Sequence, residues 1–252
     1  MRIIWQIDPT DVAKVRAFYA DHQDNPFVRE RIRRNLRADK PPVTKCQFWE
    51  HLVGCLLTSR QRSGPNSPVS RFLSVPSFPL RYDICSAQQN LASFVQATLS
   101  GFGGLLYYNN ISKFLSAAFD FIEHGGWETI FEHLESVRLN SSPEAERRAA
   151  QFLALEKGLV GVGPKQSRNL LQVIGLSRYE IPIDSRITGW LNTFGFPVRL
   201  TAASLQDLNY CNFVSDGFQR LAEACDIMPC VLDAAIFSSF DGDEWTEDNV
   251  VW

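Results

Sequence analysis

The chain has 252 residues, 45% hydrophobic and 21% charged, an ordinary globular composition that excludes a disordered or fibrous chain. No apolar run approaches the ~18 residues of a membrane span, and Asp8 and Asp11 stand too early for a secretory leader, so a cytoplasmic protein with no membrane partner is expected. The net charge of −3 argues by itself against a polyphosphate ligand, but five of the 28 acids crowd into 241–252 without a lysine or arginine, which leaves 23 acidic against 25 basic groups elsewhere.

Residues 1–8 read as an extended lead or a short strand. A helix starts at Pro9-Thr10 with Val12, Val15, Phe18 and Tyr19 on one face, and a second runs from Pro26 to about Leu36. That second helix is heavily basic (Arg29, Arg31, Arg33, Arg34), so it is either a solvated charged face or a face for a polyanion. After a break at Lys40-Pro41-Pro42, residues 44–59 form a mostly apolar helix that ends in the polar run 58–64. Residues 64–81, rich in Pro and Ser, read as one long irregular connection. Helices are then expected at about 83–100, 107–124 and 127–139, parted by the glycines at 101–104 and by Gly125-Gly126. Two more are expected between Leu205 and Leu221, around Asn209 to Asn212, and a last one starts at Met228-Pro229. The acidic end reads as a solvated tail or as a segment that repels phosphates. Strand-type alternation is nearly absent and no fixed-period repeat is found, so the predicted fold is all-α.

The most informative stretch is 155–190, LEKGLVGVGPKQSRNLLQVIGLSRYEIPIDSRITGW. Gly158, Gly161 and Gly163 shape a hairpin, and Pro164 follows where its missing N–H costs nothing. A helix over 165–174 turns Leu170, Leu171 and Ile174 inward, Gly175 ends it, 179–183 is extended, and Asp184 stands at the N-cap of a third helix. Glycines let a backbone lie against a phosphate. The free N–H groups and dipole of a helix start bind that phosphate without reading sequence. Lys165 supplies an amine able to attack an electrophilic carbon; Asp184, 19 residues further on (184 less 165), supplies a carboxylate able to stabilise a developing cation. The plainer alternatives are a phosphate-contacting lysine and a simple helix cap. A Walker loop is excluded, because its four-residue spacing between Gly and Gly-Lys is absent.

This stretch resembles the helix-hairpin-helix (HhH-GPD) superfamily of base-excision DNA glycosylases. The lysine after the second hairpin glycine and the aspartate beyond it look most like the bifunctional 8-oxoguanine DNA glycosylase/lyases. The resemblance implies two helical lobes, lobe A from about 1–44 plus 165–252 and lobe B from about 45–164, with the active site in the cleft between them. It implies Lys165 as the nucleophile that forms a Schiff base, Asp184 as its electrostatic and acid–base partner, and Gly161, Val162 and Gly163 as the phosphate-binding hairpin. The implied partner is double-stranded DNA with a flipped damaged base, bound by a monomer that is nucleoid-associated if the source is bacterial. The implied reaction is release of an oxidised purine, 8-oxoguanine first, with β-lyase activity. The alternatives are another modified or bulky base, or a non-catalytic hairpin protein that binds DNA.

Two weaker likenesses add site residues. The run 58–64 resembles the superfamily's gap-filling segment and places Arg60 or Gln61 where an extruded base leaves a space; the alternative is a plain loop. The helix after Pro229 resembles the pocket helix of 8-oxoguanine glycosylases, with Phe237 as the stacking aromatic and Asp233 in place of a glutamine, as an acceptor for purine N–H groups. Core packing and a helix-dipole contact are the alternatives for these two. Asn169 stands where human-type enzymes carry a stacking cysteine, and their N-terminal β domain is missing, so the lesion stays open. The six cysteines are scattered without a CxxC pair, and only Cys211, Cys225 and Cys230 lie near the end, at spacings unsuited to an iron–sulfur cluster. No metal or other cofactor is expected.

Overall fold

The computed structural model describes residues 4–250, which contain thirteen α-helices and no strand. They are α1 (Pro9–His22), α2 (Pro26–Asn35), α3 (Lys45–Leu57), α4 (Pro68–Leu73), α5 (Tyr82–Ser86), α6 (Leu91–Phe102) and α7 (Tyr108–Phe121). There follow α8 (Trp127–Leu139), α9 (Pro143–Leu155), α10 (Pro164–Val173), α11 (Ser185–Phe194), α12 (Leu208–Ala224) and α13 (Pro229–Ser239). Most starts are written locally. Asp8 caps α1 through the N–H groups of Thr10 and Asp11 with Pro9 at the first position, and Thr44 caps α3 in a reciprocal pair with Gln47.

The structure corrects the expected elements at two places, the connection 64–81 and the segment around Asn209 to Asn212. Of the expected lead 1–8, residues 4–8 carry no regular structure and 1–3 lie outside the described residues. The connection 64–81 holds α4: Ser67 accepts from the N–H of Ser70 and Pro68 is the first helical residue, so the Ser-Pro pair marks a helix start there. The helices expected at about 83–100 are α5 and α6, parted where Asn90 caps the second. Asn209 and Asn212 do not divide the next segment; Asp207 caps one continuous α12, preceded by a single 3-10 turn at Ser204–Gln206.

The buried apolar residues form separate cores. One gathers Phe48, Trp49, Leu52, Leu56, Leu115 and Leu134 with Leu170, Leu171 and Val173 of α10. The second joins Val15, Ile183, Ile187, Leu191, Phe218 and Ile236. The third joins Phe27 and Val28 of α2 to Val231, Ala234 and Ala235 of α13 and to Trp245. α10 therefore buries its apolar face in the first of these cores. Each fully buried Leu or Val there contributes ~1.5–3 kcal/mol of transfer free energy, enough to decide which core the helix joins.

The basic helix is solvated at Arg29 and Arg33 but not at Arg31. α2 packs along α13, so Arg31 is only 4% exposed and pairs with Asp233, while Arg33 stays outside with Glu30. No described helix is long and apolar enough to cross a membrane.

Candidate active site

The hairpin between α9 and α10 is shaped by one obligatory glycine. Gly161 has φ +88°, and a Cβ there would also lie 2.5 Å from the ring of Phe114, so no other residue fits. At Gly163 the backbone is extended and an added Cβ would meet nothing within 4 Å, leaving that side open to an approaching group. α10 has no side-chain cap, and the N–H groups of Lys165 and Gln166 have no partner among the described residues. Two free donors and the positive end of a ten-residue helix thus face outward together.

Lys165 is half-buried, and its Nζ donates only to Gln166 Oε1, at 3.3 Å. Gln166 is itself tied by its Nε2 to the carbonyl of Cys55 at 2.7 Å. No carboxylate pairs with the amine among the described residues. Asp184 caps α11 with one oxygen, Oδ1 accepting from the N–H groups of Arg186 and Ile187 at 2.9 and 3.0 Å. Its Oδ2 has no partner among the described residues, so capping leaves one carboxylate oxygen for chemistry.

A buried network, silent in the sequence reading, links the two. Arg168 and Glu180 are both 0% exposed and pair at 2.6 Å, and Arg168 Nη1 also donates to the carbonyl of Pro164 at 2.9 Å. Arg147 of α9 pairs with the other oxygen of Glu180 at 2.7 Å. Glu146, also 0% exposed, accepts the N–H groups of Arg178, Tyr179 and Glu180, which satisfies the backbone leading to Asp184. The available signal was Glu180 standing inside the otherwise apolar run Tyr179 to Ile183.

At the mouth, Arg60 is exposed with φ 59°, whereas Gln61 is turned inward. Gln61 Oε1 accepts from the N–H of Leu106 at 2.9 Å and its Nε2 donates to the carbonyl of Leu57. Of the two residues expected at the gap, Arg60 is the one left free. Gln61 braces a loop instead, whose Leu106 and Tyr107 are 52% and 48% exposed, with Tyr107 at φ 59°. The apolar run Leu105-Leu106-Tyr107 directly after a glycine break was the sequence sign of this loop.

At the far end, Asn169 makes only long contacts of 3.4 Å to Thr58 Oγ1 and Gln166 Oε1. Asp233 is 3% exposed, and its Oδ2 accepts from Arg31 Nη1 at 2.8 Å and Gln172 Nε2 at 3.0 Å. Burial pushes this carboxyl up to about 6 although Arg31 pulls the other way. Only Oδ1 is left to accept, so the two-oxygen reception of a purine edge expected of Asp233 is not on offer. Phe237 stacks against Phe27 at 5.1 Å and carries the guanidinium of Arg186 at 3.8 Å from its centroid, so the ring expected to stack on a base is already covered.

All ten residues singled out from the sequence (Arg60, Gln61, Gly161, Val162, Gly163, Lys165, Asn169, Asp184, Asp233 and Phe237) line one cleft of about 1520 Å³ between the lobes. Among the described residues no group of three or more His, Cys, Asp or Glu is placed to hold a metal ion.

No protein-family model and no curated protein matches the chain. Solved structures do. The 8-oxoguanine DNA glycosylase of Methanocaldococcus jannaschii superposes with a TM-score of 0.60 at 15% identity, over 93% of this chain and 95% of that one. The 8-oxoguanine DNA glycosylase of Thermotoga maritima does so with a TM-score of 0.65 at 12% identity, over 93% and 98%. The chain has the fold of the 8-oxoguanine DNA glycosylases. The shared fold is all-α and is carried by a sequence that shares few residues with either neighbour.

Proposed function

We propose that the protein is a base-excision DNA glycosylase with β-lyase activity that removes an oxidised purine, 8-oxoguanine foremost, from duplex DNA. The observation that carries this reading is an uncommitted amine and a half-committed carboxylate in one cleft, Lys165 at the start of α10 and Asp184 at the start of α11, in a fold shared with two 8-oxoguanine DNA glycosylases.

The chemistry follows from those groups. The Nζ lone pair of Lys165 attacks the sugar C1′, and the C1′–N9 bond breaks with its electron pair going to the base, which takes up a proton as the amine loses one. The C1′–O4′ bond then opens with its electron pair going to O4′, which takes up a proton, leaving the iminium; loss of a C2′ proton breaks the C3′–O3′ bond and expels the 3′ phosphate. The open Oδ2 of Asp184 stabilises the positive charge that develops on the sugar as the base departs. The free N–H groups of Lys165 and Gln166 hold a backbone phosphate. Arg60 fills the space of the extruded base, with Tyr107 as an apolar wedge beside it, braced by Gln61. The lone open oxygen of Asp233 suits one N–H donor of a guanine-type edge.

The test is covalent trapping. Duplexes carrying single altered bases are incubated with the protein and sodium borohydride, which reduces an iminium to a stable amine. An adduct with the 8-oxoguanine duplex is expected; no adduct with any duplex of the panel contradicts the lyase reading.

A further inference from the structure

The acidic segment after α13 is anchored behind the cleft-lining Arg186 through Asp241 and Trp245. Asp241 is 3% exposed and takes Arg186 with both oxygens, Oδ2 from Nη1 at 2.9 Å and Oδ1 from Nη2 at 3.0 Å. Trp245 Nε1 donates to the same carboxylate at 3.2 Å, and Trp245, 4% exposed, packs on Phe27 at 4.5 Å. The loop from lobe B closes against it too, since a Cβ on Gly64 would lie 2.4 Å from Asp241 Oδ1. Arg186 Nη1 also donates to the carbonyl of Phe237 at 2.8 Å, which sets the guanidinium over the Phe237 ring.

A guanidinium whose Nη groups are spent on Asp241 and a carbonyl cannot also grip a phosphate as a fork. What it offers the cleft is the planar face turned away from the Phe237 ring. We propose that Arg186, held by Asp241, is the surface on which the extruded base rests, so that Arg186 is a specificity-determining residue and Asp241 a positioning residue. Bases stack on guanidinium planes. A cation in that place favours a neutral base and disfavours an alkylated purine that carries positive charge. This inference rests on the glycosylase reading and names the side of the pocket that selects the base.

The experiment compares base release from an 8-oxoguanine duplex with borohydride trapping on a duplex holding a ready-made abasic site, which has no base to rest on Arg186. In Asp241→Ala and Arg186→Ala the ratio of base release to abasic-site trapping is expected to fall about tenfold or more, the worth of a charged hydrogen bond. The wild type is expected to release 8-oxoguanine in preference to 7-methylguanine, a cationic base. Parallel loss of both activities, or an unchanged ratio, overturns the inference. A wild type that neither releases 8-oxoguanine nor traps on the abasic duplex overturns the glycosylase reading itself, a failure visible before any substitution is made.

Discussion

At the hairpin end of the cleft the reactive groups are left unpaired, whereas at the α13 end nearly every charged group is matched within the chain. Lys165 has one weak hydrogen bond and Asp184 keeps one oxygen open. By contrast, Arg31 is locked to Asp233, and Arg186, two residues beyond Asp184, to Asp241, with side chains no more than 17% exposed. The difference separates two demands on one site. A nucleophile must be available, so its placement comes from backbone: a glycine hairpin, a helix start and a buried brace. A wall that selects a base must be rigid, so its side chains are fixed by ion pairs between distant segments.

The largest expected effect lies at the matched end. Arg31→Leu removes one member of a buried pair and should cost ~3–5 kcal/mol at pH 7.5, measured by urea unfolding. Asp233 titrates near 6, above its ordinary value of 3.8, because burial disfavours its charge. Its contribution therefore favours folding fully below pH 3.8 and is lost as pH rises through about 6. Without Arg31, which holds that value down, the carboxyl rises further, so the loss in the variant should shrink at pH 5. A loss equal at both pH values would mean that Asp233 is not the group left stranded.

The next effect lies at the unpaired end. Asp184→Asn keeps the cap and the shape but removes the charge, so single-turnover base release should slow by ~2–4 kcal/mol of barrier with folding nearly unchanged. Wild-type rates in this variant would reduce Asp184 to a helix cap and erase the contrast between the two ends.

How much of this was legible follows the same division. Gly161, Pro164, Lys165 and Asp184 were readable because caps, positive φ and helix starts are local, and a residue type at a given spacing nearly dictates them. The wall was not. Asp233 and Phe237 were placed on the right helix, but their partners Arg31, Arg186, Phe27 and Asp241 come from other parts of the chain, and no spacing rule joins them. The same ignorance made all of α2 look like a solvated or polyanion-facing basic helix, when burial of Arg31 depends on what α13 presents. Ser67-Pro68 was read as loop because short helices are hard to tell from Pro-rich connections without their packing.

The smallest effect sharpens the limits of the wall. Arg62 and Asp243 pair across the cleft, but at 58% and 37% side-chain exposure their pair is screened. Asp243→Asn should change stability by only ~0–1 kcal/mol and leave the ratio of base release to abasic-site trapping as in the wild type. A large drop in that ratio would extend the selective wall beyond Asp241.

The central claim is that Lys165 carries the reaction, and mapping the covalent adduct tests it most directly. Borohydride-trapped protein on a lesion-bearing duplex, digested and analysed by mass spectrometry, should carry the sugar remnant on Lys165, and Lys165→Gln should form no adduct while still binding duplex. An adduct on another amine, or undiminished strand cleavage by Lys165→Gln, would contradict the account.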